Sequence, residues 1–210
     1  MKFKEAIEKA KAESKKRNFV QSVELVVNFQ NIDFNKADNK INLEVQLPKG
    51  RGKNKKICVI CDDELSTNAK KNADKVIMAH EIEKVGKDKK LVKKMANEFD
   101  FFIAQANLMA QVGKFFGQAL GPRGKMPKPV PPAADLTPIV TRLKNTVTIK
   151  TKGKNLPVLH IPIGTEAMSD DDLAENASSV LSSITGKVST QSIKGVFVKE
   201  SMGPIVQVGE

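Results

Sequence analysis

The chain has 210 residues, 40% of them apolar, which is enough to build one large or two ordinary cores and excludes a disordered chain. Lys and Arg number 35 against 24 Asp and Glu, and the resulting net charge of +11 favours a polyanionic partner, nucleic acid first. No run reaches the roughly 20 apolar residues of a membrane span, and the start MKFKEAIEKAKAESKK lacks the apolar stretch of a secretory signal, so a soluble, cytosolic protein with no membrane partner is expected.

The positive field lies in the first two thirds: residues 1–56 hold 14 Lys/Arg against 7 Asp/Glu, residues 57–145 hold 15 against 10, and residues 146–210 hold 6 against 7. Residues 3–16, rich in Ala, Glu and Lys, read as a helix. Its stripe of Phe3, Ile7 and Ala10 is narrow, and suits a core contact better than a membrane-surface helix. NFVQSVELVVNF (18–29) and NKINLEVQLP (39–48) alternate polar and apolar residues as half-buried strands do. PKGRGKNKK (48–56), with two glycines and five basic residues, follows as a solvated connector and domain boundary.

Beyond it the rhythm changes. KICVIC (56–61), DKVIMA (74–79) and DFFIAQA (100–106) read as short buried strands. ELSTNAKKNA (64–73), KDKKLVKKMANEF (87–99) and LMAQVGKFFGQAL (108–120) read as helices, and a further helix over 135–145 closes the series. Strands alternating with helices imply βαβ units and a parallel sheet covered on both faces. The last third returns to α+β, with strands TVTIKTKG (146–153) and LPVLHIPIG (156–164). A helix opened by Ser169 and three aspartates follows, as suits a helix amino terminus, and then IKGVFVKESMGPIVQV (193–208). Residues 1–56 hold too little core to fold alone, and residues 146–210 supply the same kind of strand and helix. The expected fold is therefore mixed α/β and α+β: a discontinuous α+β domain of residues 1–56 and 146–210, interrupted by a Rossmann-like three-layer α/β insertion of residues 57–145.

Cys58 and Cys61 form CxxC, but inside an apolar strand, where residues three apart point to opposite faces. Buried inert thiols fit better than a redox pair, which needs a helix start, or a zinc site, which needs two more ligands. His80 and His160 belong to no ligand pattern. LGPRGKMPKP (120–129) raises a phosphate-loop question. Gly124 and Lys125 supply the end of the Walker pattern, but Ala119 stands at its first glycine and Met126 at its hydroxyl. Gly121 and Gly124 match the GxxG of KH modules, a weak signal alone. Structurally, Gly121 caps the preceding helix and Pro122 stops it, which leaves Arg123 and Lys125 projecting from a rigid loop, either as a secondary RNA contact or as part of a turn alone.

NFVQSVEL, FFIAQANLMAQVGKFFGQALGPRGKMPKPV and IKGVFVKESMGP, in this order and spacing, resemble the ribosomal protein L-one family in its archaeal form, over nearly the whole chain. The resemblance implies a protein of the mobile stalk near the tRNA exit site, binding a folded segment of large-subunit ribosomal RNA through the discontinuous domain. It also implies repression through a look-alike site on the protein's own mRNA, contact with exit-site tRNA as deacylated tRNA is released, residence on the cytoplasmic ribosome, and a monomer when free.

The resemblance places the main RNA contact on a strand surface built from NFVQS and ESMGP, hence on Phe19, Ser22, Ser201, Met202 and Gly203. The residue types suit the task. Gly203 lets backbone approach RNA, the serines bond 2′-hydroxyls and phosphates, and Phe19 and Met202 offer apolar surface. By type alone, Phe19 suits a core equally and Met202-Gly203-Pro204 a hairpin turn. Two positions depart from the family pattern: Gly195, where some members carry serine, and Asn18, where some carry a basic residue. Gly195 is therefore not taken as a donor, and Lys16 and Arg17 are expected to supply the charge. No catalytic residue, metal or cofactor is expected. The alternative is a nucleotide- or cofactor-binding enzyme using the insertion, with GPRGK as its phosphate site; the incomplete fingerprints argue against it.

Overall fold

The computed structural model describes residues 2–32, 34, 39–132, 134–151 and 156–209. In chain order its elements are α1 (Phe3–Glu13), β1 (Ser22–Phe29), β2 (Asn42–Gln46), β3 (Ile57–Cys61), α2 (Asp63–Asn72), β4 (Lys75–Met78), α3 (Ile82–Lys87), α4 (Lys89–Glu98) and β5 (Phe101–Gln105). They continue with α5 (Met109–Leu120), β6 (Lys128–Val130), α6 (Leu136–Lys144), β7 (Thr146–Lys150), β8 (Val158–Thr165), α7 (Asp170–Thr185), β9 (Ile193–Glu200) and β10 (Ile205–Gln207). The chain divides into two compact units, Met1–Lys53 with Asn145–Glu210, and Asn54–Lys144.

The first unit carries an antiparallel sheet in the order β10-β9-β1-β8 and a separate β2-β7 ribbon. Because side chains alternate along a strand, Val23, Leu25 and Val27 of β1 share one core with Leu159, Ile161 and Ile163 of β8 and with Val196 and Val198 of β9. The same core takes Phe3, Ile7 and Ala10 of α1 and Leu173, Ala177, Val180 and Ile184 of α7. The narrow stripe of α1 is thus spent on the core. The start of α7 follows its composition: the Ser169 hydroxyl accepts from the Asp172 N–H at 3.2 Å, and three aspartates lie at the positive end of the helix dipole.

Boundaries differ from expectation where the chain turns. α1 ends at Glu13, not residue 16, because Ser14 is already extended. The strand expected from residue 18 begins at Ser22, and the last two positions expected in the strand over 146–153 lie outside the described residues. The stretch 48–53 is no loose connector. Asn176, fully buried on α7, accepts from the Lys49 N–H at 3.1 Å and donates to the Gly50 carbonyl at 2.9 Å and the Ile163 carbonyl at 2.9 Å. Gly50 and Gly52 both sit at positive φ, 71° and 68°, and a Cβ on Gly52 would press on Thr165 and Met168.

The second unit is a parallel sheet in the order β4-β3-β5-β6. One face is covered by α3, α4 and α5 through Ile82, Val92, Met95, Val112 and Phe116, the other by α2 and α6 through Leu65, Ala69, Leu136, Val140 and Leu143. This is the three-layer α/β arrangement expected. Cys58 belongs to the first of these clusters and Cys61 to the second, so the pair is split across the sheet. Both thiols are free and buried, and burial pushes Cys58 up to about 12, which leaves it inert. α3 and the edge strand β6 are additions to the expected elements.

Candidate nucleic-acid interface

At one end of the four-stranded sheet, the start of β1 meets the end of β9. The Ser201 N–H donates to the Ser22 carbonyl at 3.0 Å, and the Ser201 hydroxyl accepts from the Ser22 N–H at 3.2 Å. The Ser22 hydroxyl in turn accepts from the Lys53 ammonium at 2.8 Å and keeps its own proton to give. Ser201 is therefore committed to closing the strand pair, whereas Ser22 and Lys53 present polar groups at its edge.

Beneath this edge lies Gln21, only 1% exposed. Its amide oxygen accepts from the Met202 N–H at 3.1 Å, and its amide nitrogen donates to the Glu200 carboxylate at 2.9 Å, with longer approaches to the Lys15 carbonyl and Glu166. One buried side chain thus fixes the turn after β9 against the segment before β1. Gly203 closes that turn through its N–H to the Glu200 carbonyl at 3.1 Å. A Cβ on Gly203 would run into the Ser14 hydroxyl at the end of α1. This internal contact gives the glycine a reason of its own, beside the close approach of RNA expected there.

The apolar residues point outward. Phe19 and Val20 are each 51% exposed and Met202 is 64% exposed, so Phe19 is no core residue. They sit in the segment before β1 and the turn after β9, so the strand surface expected from NFVQS and ESMGP is the end of a sheet and not its face. Lys15, Lys16 and Arg17 are exposed in the segment before β1, and Lys53 is exposed beside Ser22. Sequence reasoning missed Val20, Lys53, Gln21 and Glu200. The last two carry no local signal, since their partners lie up to 181 positions away.

The loop after α5 is different from the loop expected. The Lys125 N–H donates to the Leu120 carbonyl at 3.0 Å and the Gly124 N–H to the Gly121 carbonyl at 2.9 Å, with Gly124 at φ 67°. This is a Schellman closure, and Gly124 is its left-handed residue. The N–H groups of Gly121, Arg123, Gly124 and Lys125 are all spent within the turn, and proline has none at 122, so no amide remains to cradle a phosphate. Nor does Lys125 project: its ammonium donates to the Ala96 carbonyl at 2.9 Å and the Phe99 carbonyl at 2.8 Å, capping α4. Burial lowers its pKa from the ordinary lysine value, with Asp100 opposing. Arg123 is exposed but donates to the Asn97 side chain at 3.2 Å and the Ala119 carbonyl at 2.9 Å.

The other place for a nucleotide is the crevice at the carboxyl ends of β3 and β5, where the strand order reverses. Asp62 and Asp63 stand there; the Asp62 N–H is held by the Gln105 side chain at 2.9 Å, and its carboxylate accepts from the Asp63 N–H at 3.0 Å. Two carboxylates at a spent helix start repel a pyrophosphate. Among the described residues no three His, Cys, Asp or Glu side chains gather to hold a metal ion, and no helix is long and apolar enough to cross a membrane.

These features define a class: a two-unit mixed α/β protein with a rigid, basic, apolar-tipped sheet end, and with neither nucleotide position of its parallel-sheet unit fitted for phosphate. The chain belongs to the Ribosomal protein L1p/L10e family, whose sequence profile matches residues 9–204. It is 47% identical over 207 residues to the large ribosomal subunit protein uL1 of Methanothermobacter thermautotrophicus, covering 97% of each chain. To the protein of the same name from Thermococcus kodakarensis it is 48% identical over 210 residues, covering 99% of this chain and 96% of that one. For Pyrococcus abyssi the identity is 47% over 210 residues, with 99% and 95% covered.

Proposed function

We propose that the chain is a structural, non-enzymatic protein of the large ribosomal subunit, and that it binds large-subunit ribosomal RNA through the sheet end of its first unit. Family membership and the shared name of its relatives support the ribosomal assignment. The observation that carries the binding site is the exposure of Phe19, Val20 and Met202 on a turn held rigid by Gln21 and Ser201, ringed by Lys15, Lys16, Arg17 and Lys53. Apolar side chains that cannot be buried by the chain itself stack on unstacked bases or sugars, and the cations take the flanking phosphates. Ser22, with a free hydroxyl proton, suits a 2′-hydroxyl or phosphate. The secondary contact expected at Arg123 and Lys125 has less support, because the Lys125 ammonium and two Arg123 donors are spent on α4 and α5.

On this reading any RNA that reproduces the ribosomal shape competes for the same end, which is how the chain would bind its own mRNA and repress its translation. Contact with exit-site tRNA, at the mobile stalk, belongs to the same proposal. The experiment is a titration of a folded large-subunit ribosomal RNA segment across a range of salt. Replacing Phe19 and Met202 together by Ala should weaken binding by about 10- to 100-fold at every salt concentration, since stacking carries no charge. The slope of log affinity against log salt should stay as in the native chain. Unchanged affinity in the double variant would remove the proposed site.

A further inference from the structure

The second unit holds 17 Lys/Arg against 10 Asp/Glu, but the excess is concentrated: residues 84–94 alone carry six lysines and a single carboxylate. They form the end of α3 and most of α4. Val92, Met95 and Ala96 of α4 are buried in the core, so with 3.6 residues per turn Lys90, Lys93, Lys94 and Asn97 face outward. Lys90 lies one turn from both Lys93 and Lys94, within about 5 to 6 Å between Cβ atoms, and like charges at that spacing oppose the helix. Lys89 and Lys90 also occupy its first turn, where the dipole disfavours cations and where no acidic residue stands.

The nearby carboxylates relieve this only in part. Asp88 is turned onto the helix backbone, accepting from the N–H groups of Lys90 at 2.9 Å and Leu91 at 3.2 Å. Glu98 pairs with Lys56 at 3.3 Å and Glu83 with Lys87 at 2.9 Å. Among the described residues Lys89, Lys90, Lys93 and Lys94 have no ion-pair partner. Helix stability asks for none of these lysines at these positions; a row of phosphates, spaced much as successive helical turns are, would offset both costs.

We infer that the outward face of α4, centred on Lys90, Lys93 and Lys94, is a second RNA contact that grips the phosphate backbone of a duplex without reading its sequence. This rests on the RNA-binding reading above and adds a surface of a different kind. The row has no aromatic side chain and, apart from Asn97, no acceptor able to read a base edge. Lysine ammonium groups act there as point charges, which position a backbone and carry no sequence information.

The test uses the full-length chain and three probes: a blunt RNA duplex of mixed sequence, about 20 base pairs long, the folded ribosomal RNA segment, and polyglutamate as a non-nucleic polyanion. Lys90, Lys93 and Lys94 are replaced together by Gln, which keeps the helix. A control carries Lys70→Gln, Lys71→Gln and Lys75→Gln, three exposed charges on α2 and β4 of the same unit. The α4 variant should lose about tenfold or more in duplex affinity at low salt, and its log–log salt slope should flatten by about 2 to 3, one phosphate counting for about 0.9. The control should lose less than about threefold. Equal losses in both variants would mean that net charge alone is at work and would overturn the inference. So would an unchanged α4 variant, or one whose only defect is in binding polyglutamate, the signature of an acidic protein partner. If Phe19→Ala with Met202→Ala weakens binding of the folded segment as predicted while the α4 variant is unaffected on the duplex, the primary site stands and the second surface falls. A native chain that binds neither RNA would refute both.

Discussion

Gly203→Val should weaken binding of the folded ribosomal RNA segment by about 100-fold, ~2.8 kcal/mol, while circular dichroism shows a folded chain. The cause is internal. A Cβ at 203 collides with the Ser14 hydroxyl and comes within 3.2 Å of the Glu200 Cβ and 3.3 Å of the Ser14 Cβ, which cannot rotate away, so the added bulk of valine should displace the turn after β9. That shift pulls the Met202 N–H from Gln21 and withdraws Met202 from its place at the tip. Adding Ser14→Gly should restore part of the affinity. Arg123→Ala, whose side chain is tied to Asn97 and Ala119, should cost less than about threefold. The opposite ranking of Gly203→Val and Arg123→Ala, with both chains folded, would move the primary site to the second unit.

Asn176→Ala should lower the stability of the first unit by roughly 3 to 5 kcal/mol, read from that unit's own urea transition. Alanine leaves the Lys49 N–H and the Gly50 and Ile163 carbonyls without the partner that a fully buried side chain now gives them. A loss under about 1 kcal/mol would show that the 48–53 stretch is held by its glycines and not by Asn176. RNA affinity at temperatures where the variant is folded should change little, since Asn176 lies on α7 and not at the sheet end.

Much of the fold was legible because its signals are local. Ser169 with three aspartates marks the start of α7, the unbroken apolar run at Ile57–Cys61 marks a buried strand, and Leu136–Lys144 lies where a closing helix was expected. The misses have local causes too. α3 is six residues long with a glycine inside it, and only the structure shows why: a Cβ on Gly86 would meet Phe115 of α5. β6 is three residues long and contains Pro129, which a sheet accepts only at an edge. Lys125 looked like a free cation because its two carbonyl partners lie 26 and 29 positions earlier.

The candidate site was legible in its exposed half and illegible in its supporting half. Phe19, Ser22, Ser201, Met202 and Gly203 were singled out through resemblance, and the structure brings them together at one end of the sheet. Gln21, Glu200 and Lys53 were not, because a buried glutamine gains its role only from the register that pairs β1 with β9, and no nearby pattern encodes a contact across nearly the whole chain. The second reason for Gly203 was hidden in the same way: glycine at a close approach is readable, but that Ser14 is among the approaching groups is not.

If the primary RNA contact lies in the first unit, as proposed, removing the second unit tests it most directly. Asn145 lies at the seam: its carbonyl accepts from the Leu47 N–H at 3.0 Å, and its side chain lies against Gly50, so the ends left at Lys53 and Asn145 are close enough for a short bridge. Joining them through a few glycines adds little closure entropy and keeps Phe19, Ser22, Gln21, Lys53, Ser201, Met202 and Gly203 in one chain. The account predicts a folded hybrid that binds the folded ribosomal RNA segment within about tenfold of the full chain. A folded hybrid that has lost most of its affinity, while residues 54–144 alone retain it, would contradict the account.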